Sequence, residues 1–159
     1  AGETVRLADL RRPKGALIAC ICNHCPYVVK TSGRFVADAR ALQSIGIGVA
    51  AICSNDAVAY PADSFDKMKA FAAAHAFGFP YLHDEDQSVA RAYGAVCTPD
   101  FFGFNADGLL QYRGRLDDAR MGNAEGRSPE LLNAMRQISR TGAGPQDQTP
   151  SMGCSIKWR

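Results

Sequence analysis

The chain has 159 residues, 47% of them hydrophobic and 21% charged, which suits one domain with a packed core and argues against disorder. Its 18 Lys and Arg are scattered among 16 Asp and Glu, giving a net charge of +2 without a basic run, so a nucleic-acid surface is not expected. No apolar stretch is long enough to cross a bilayer, and no membrane partner is expected.

Pro13-Lys14-Gly15 supplies a turn, and the continuous apolar run 16–22 reads as a strand covered on both faces. A helix is predicted from about Pro26 to Ser44, with Val28, Phe35, Ala39 and Leu42 on one face and Gly46 closing it. Ile47 to Cys53 is a second buried strand. Asp63 or Ser64 can cap a following helix whose inward residues are Phe65, Met68, Phe71 and Ala72. Phe79 to Leu82 is extended, and a brief helix beginning at Asp86 is stopped by Gly94. Two strands, Phe101–Phe104 and Leu109–Arg113, are joined by Asn105-Ala106-Asp107-Gly108, a hairpin signal. Ser128-Pro129-Glu130 opens a last helix with Leu131, Met135 and Ile138 as its buried stripe.

This order predicts an α/β domain with a mixed central sheet flanked by helices over residues 1–140. Residues 141–159 form a Gly/Pro-rich tail. Its Ile156 and Trp158 are costly to leave in water, so the tail is expected to fold back onto the domain.

Six cysteines stand at 20, 22, 25, 53, 97 and 154. In a chain of this length they do not read as a disulfide scaffold, and Cys20 and Cys53 read as core residues. Cys22-Asn23-His24-Cys25 is different, because it sits where a buried strand hands over to a helix. Unpaired backbone amides and the positive end of the helix favour an anion there, so a thiolate is stabilised. The spacing brings both sulfurs to one face, with Cys22 expected as the exposed nucleophile and Cys25 as the buried resolving thiol. His24 adds a titratable neighbour. A soft-metal site for copper or zinc, built on Cys22 and Cys25 with one of His24, Cys97 or Cys154, or on Cys20, Cys22 and Cys25 with His24, is the alternative of another class. His75 and His83 read as surface or loop residues, and Asp117-Asp118 with Arg113, Arg115 and Arg120 as a solvated charge cluster.

With Cys-x-x-Cys at that junction and Thr98-Pro99 before a later strand, the chain resembles the thioredoxin superfamily. It is most similar to the peroxiredoxin-like branch grouped with alkyl hydroperoxide reductase and thiol-specific antioxidant proteins. Residues 21–28, 54–56, 79–82, 94–102, 112–118 and 150–158 carry the resemblance. It implies a thioredoxin fold in which Pro99 is a cis-proline facing the cysteine pair, with the Thr98 backbone open to a partner peptide. Members usually carry an N-terminal hairpin before the segment matching Thr4–Leu10, and most of that hairpin has no counterpart here.

The departures matter too. The threonine three residues before a peroxidatic cysteine is missing, since Ala19 and Cys22 stand there, and only Arg113 or Arg115 could supply the activating arginine. Thioredoxin's Trp and buried Asp are also absent, leaving Asp56, Asp100 or water to move the proton of Cys25. A His before the second Cys resembles the more oxidising members and implies a potential above thioredoxin's roughly −270 mV.

The expected function is therefore thiol–disulfide exchange at Cys22 and Cys25, supported by His24, Thr98 and Pro99, with Cys97 and Cys154 as accessory thiols. A thiol peroxidase is the alternative within enzymes. No cofactor is expected. The expected partner is a protein thiol or disulfide or a small oxidant, and the expected compartment is the cytoplasm. No leader is visible, although the chain opens at Ala1 without a methionine.

Overall fold

The structure is a computed structural model describing residues 3–159. After a single turn of helix, α1 (Leu7–Leu10), strand β1 (Gly15–Cys20) leads into the long helix α2 (Pro26–Ser44), and β2 (Ile47–Cys53) follows. Then come α3 (Phe65–Ala74), β3 (Tyr81–His83), α4 (Ser88–Tyr93), β4 (Cys97–Thr98), β5 (Asp100–Phe104), β6 (Leu110–Gly114), α5 (Glu130–Thr141) and β7 (Cys154–Ser155).

Five strands form one sheet in the order β3-β2-β1-β5-β6. The first three are parallel and β5 and β6 run antiparallel, so the sheet is mixed. Every residue of β1 and β2 is buried, as continuous apolar runs require when both sheet faces are covered. Alternate side chains divide between two cores. Leu17, Ala19, Val49 and Ala51 pack with Phe35 and Leu42 of α2 and Met135 and Ile138 of α5. Ile18, Cys20, Ala50 and Ile52 pack on the other face with Ala90 of α4 and Ile156 of the tail.

The caps differ from expectation in detail. Ser64, not Asp63, caps α3, accepting from the Lys67 amide at 3.3 Å. The brief fourth helix begins at Ser88 rather than Asp86. Pro129 holds the cap position of α5 without a side-chain bond, so Ser128 does not cap that helix. The hairpin turns through Gly108, whose positive φ of 80° suits a residue lacking Cβ.

The tail lies along the body. Arg115 donates its amide to the Thr149 carbonyl at 3.1 Å, and Ser151 Oγ donates to the Gly114 carbonyl at 2.6 Å. Strand β7 pairs antiparallel with β4, setting Cys154 opposite Thr98. Beyond it Ile156 is 4% exposed, and Lys157 is gripped through its amide by Asn55 and through its carbonyl by Gln87, both at 2.9 Å. Arg91 stacks on Trp158 at 4.4 Å, completing the dock. Among the described residues, no helix is long and apolar enough to cross a membrane.

Candidate redox centre

Strand β1 ends at Cys20, and its direction carries Ile21 and Cys22 to the end of the sheet. Cys25 is the N-cap residue of α2, with Pro26 in the first turn, where a missing amide hydrogen costs nothing. The first free amides of α2 and its positive dipole end therefore converge on Cys25.

Cys22 and Cys25 interact through their thiols, and the strand before the cis Thr98–Pro99 peptide closes over both. Thr98 Oγ1 lies 3.4 Å from Cys22 Sγ. Cys25 Sγ also lies 3.4 Å from the Thr98 carbonyl oxygen. On its other side, Cys25 Sγ is 2.7 Å from Cys154 Sγ. Cys25 is thus the middle sulfur of three.

The two members of the motif ionise very differently. The hydrogen bond from Cys22 and those from the Cys154 thiol and amide outweigh burial and hold the Cys25 pKa down to about 4. Cys22 is pushed far above the ordinary thiol range by the proton it donates to Cys25, then by burial, with the nearby Asp63 charge adding to both. The two thiols share a hydrogen bond and titrate as a pair rather than as independent groups.

One expectation changes here. Cys22 is not exposed: it is 1% accessible, and Cys25, against which Cys154 of the tail lies, is 0%. The downward shift falls on Cys25, at the helix cap, where hydrogen bonds from both neighbouring thiols converge.

The carboxylate beside the motif is Asp63, which is fully buried. It accepts the Asn23 amide at 2.8 Å and Asn55 Nδ2 at 2.9 Å, and lies 2.9 Å from His24 Nδ1. Asn23 is fixed further by Tyr81, whose hydroxyl donates to its Oδ1 at 2.9 Å. A sulfur of Cys22, a ring nitrogen of His24 and a carboxylate oxygen of Asp63 lie within 4.8 Å of one another. These three could ligate a metal ion. Cys25 stands outside that set.

Asp56 and Asp100 have other partners. Asp56 accepts Arg159 Nε at 3.2 Å, and Asp100 pairs with Arg113 at 3.2 Å. Cys97 is half-buried, its thiol directed at the carbonyls of Pro99 and Ser151, and burial raises it to about 11. Cys20 and Cys53 are core residues, raised first by desolvation, Cys53 to about 12. Beside the centre a cavity of about 340 Å³ is lined by Tyr27, Pro99, Leu116 and Met152, among others.

The AhpC/TSA family model matches residues 1–113, which is more than half of the chain. The chain belongs to the AhpC/TSA family. An uncharacterized conserved protein from Geobacillus kaustophilus is 43% identical, with a TM-score of 0.92 over 99% of this chain and 84% of its own. A hypothetical protein from Sinorhizobium meliloti is 40% identical, with a TM-score of 0.91 over 99% of this chain and 87% of its own. A secreted disulfide oxidoreductase from Mycobacterium tuberculosis shares the fold at 20% identity, with a TM-score of 0.55 over 65% of this chain and 70% of its own. No curated protein matches the sequence. The fold is that of thioredoxin, with the mixed sheet and flanking helices described above.

The two arginines that could have activated peroxide are committed elsewhere. Arg113 pairs with Asp100, and Arg115 makes a two-point contact with Glu130 at 2.5 and 3.0 Å.

Proposed function

We propose that this protein exchanges disulfides through Cys22 and Cys25, which cycle between dithiol and disulfide. The observation that carries this reading is two thiols in contact at the N-terminal cap of a helix, beside Thr98 and Cys154, an environment that lowers Cys25 and raises Cys22. An ionised sulfur is the nucleophile of disulfide exchange, and a neighbouring thiol that retains its proton is the group that closes the cycle.

In the reductive half-cycle, the Cys25 thiolate attacks one sulfur of an incoming disulfide, breaks its S–S bond and expels a thiolate. Cys22 then releases its proton towards the Asp63–His24 pair and attacks Cys25 Sγ. The Cys22–Cys25 disulfide forms and the second partner thiolate leaves. Two electrons pass to the partner, and no cofactor is needed. Asp63 takes the place that Asp56 or Asp100 was expected to fill. The reverse sequence oxidises a partner dithiol. The buried pair suits exchange with a partner thiol or disulfide better than peroxide reduction, because Arg113 and Arg115 are both paired away.

The test is oxidation of a reduced dithiol peptide by the protein, followed by mass. The wild type should turn over, and Cys22→Ser and Cys25→Ser should each fail to. Peroxide consumption should stay near that of free cysteine. Rapid peroxide consumption with no exchange activity would overturn the proposal in favour of a thiol peroxidase.

A further inference from the structure

If Cys22 and Cys25 are the exchanging pair, their burial poses a problem of access, since neither sulfur faces solvent. The Thr98 edge, where a partner peptide would pair beside the motif, is also taken. Strand β7 occupies it, with Cys154 directly opposite Thr98. The tail therefore sits as a docked peptide would, and presents a cysteine where a partner's cysteine would be needed.

We propose that Cys154 is a third redox thiol, which forms a disulfide with Cys25 and carries the exchange between the buried pair and partner thiols. The proposal rests on the exchange reading of Cys22 and Cys25 and gives it a route to the surface.

The placement of Cys154 is built rather than incidental. Its sulfur is 2.7 Å from Cys25 Sγ, against about 2.05 Å in a formed disulfide. Its backbone amide also points at the Cys25 sulfur. The residue before it, Gly153, passes so close to the Thr98 carbonyl that any Cβ would collide with that oxygen. Two residues beyond, Ile156 is sunk in the second core, and its amide donates to the Val96 carbonyl at 3.1 Å. Cys154 is fastened on both sides, yet remains half-buried while Cys22 and Cys25 are covered.

The steps balance. Beginning with the Cys22–Cys25 disulfide, the Cys154 thiol loses its proton to solvent and its sulfur attacks Cys25 Sγ. The Cys22–Cys25 bond breaks, the Cys25–Cys154 bond forms, and Cys22 leaves as a thiolate that takes up a proton. No net electrons move. A partner thiolate then attacks the accessible Cys154 sulfur and expels Cys25, the most acidic of the three thiols and so the best leaving group. A second thiol of the same partner attacks the partner's sulfur in the mixed disulfide. The partner's own disulfide forms, and Cys154 leaves and is reprotonated. One protein disulfide has become two reduced cysteines, and a partner dithiol has become a disulfide.

The test uses the full chain with glutathione as the probe. In Cys22→Ser oxidised with glutathione disulfide, digestion without reductant should join the peptide holding Cys25 to the peptide holding Cys154. Only glutathione adducts, without that link, would overturn the proposal. In Cys154→Ser the Cys22–Cys25 disulfide should still form, and its reduction by glutathione should slow by roughly tenfold or more, because the accessible sulfur is gone. A rate equal to or above that of the wild type would overturn the relay and leave the tail as a cover only. Failure of the Cys22–Cys25 disulfide to form in wild type and Cys154→Ser alike would instead overturn the exchange reading itself. Gly153→Ala keeps every cysteine but forces the tail from Thr98, so it should lose the Cys25–Cys154 link. Retention of that link would contradict the docking geometry on which the relay depends.

Discussion

The two halves of the centre are held by opposite means. Cys22 and Cys25 are placed locally: a strand ends, a helix begins, and three residues of spacing set both sulfurs at the helix cap. Cys154 reaches the same spot from the far end of the chain, held by a two-residue strand, one glycine that allows close approach, and one buried isoleucine. A motif built on a rigid junction keeps its geometry as long as the domain is folded. A docked tail can come away without unfolding the sheet. Access and reactivity can therefore be changed separately, and substitutions should show it.

The largest effect is expected at the middle sulfur. Cys25→Ser should remove the thiolate absorbance that reduced wild type displays in mildly acidic solution. Cys22→Ala should keep a thiolate but shift its midpoint upward, since the Cys22 bond is the main cause of the low value. Equal midpoints in wild type and Cys22→Ala would contradict the shared hydrogen bond. The same ionisation links stability to pH. A thiol depressed from 9.0 to about 4 on folding contributes stability that is complete above 9.0 and is lost as the pH falls through about 4. The difference in stability between wild type and Cys25→Ser should therefore grow in favour of wild type between those limits. A flat difference would speak against it.

Asp63→Asn comes next. It breaks the pair with His24 and removes the acceptor for the Cys22 proton, so ring closure should slow by about 10²-fold, within the usual range for a lost general base. The first attack, made by Cys25, should be little affected. Single-turnover kinetics separates the two steps, and equal slowing of both would point to structural damage instead.

The tail offers smaller, purely mechanical effects. Ile156→Ala removes a fully buried side chain and should weaken docking by about 2–5 kcal/mol. Proteolysis of the tail and alkylation of the Cys22–Cys25 pair should then accelerate together; alkylation unchanged while the tail is cut would show that the tail does not guard the pair. Arg91→Ala removes the stack on Trp158 and a 3.3 Å hydrogen bond to Gln87, and the lost stack should cost about 0.5–1 kcal/mol of docking. A loss as large as that of Ile156→Ala would mean that the outer end, not the isoleucine, secures the tail.

The same contrast explains what could be read before the structure. The apolar runs of β1 and β2, the stripe of α2 and the hairpin signal around Asn105–Gly108 are local patterns, and each element formed near its expected place. The junction bearing Cys22 and Cys25 was legible for the same reason. Asp63 was not. Next to Ser64 at a helix start it reads as a cap, and only the turn at Pro61–Asp63 swings its carboxylate under Asn23 and His24. The β4–β7 pair left no trace either, because two-residue strands have no period to detect. Asp56, expected as a proton carrier for the motif, instead helps to hold the tail through Arg159.

The most direct test of the central claim is equilibration of the whole protein with glutathione redox buffers, with the Cys22–Cys25 disulfide quantified by peptide mass. A thiolate stabilised in the reduced form makes the couple oxidising, so the midpoint should lie above about −270 mV. A midpoint well below that value, or no bond between the two sulfurs at any poise, would contradict the account.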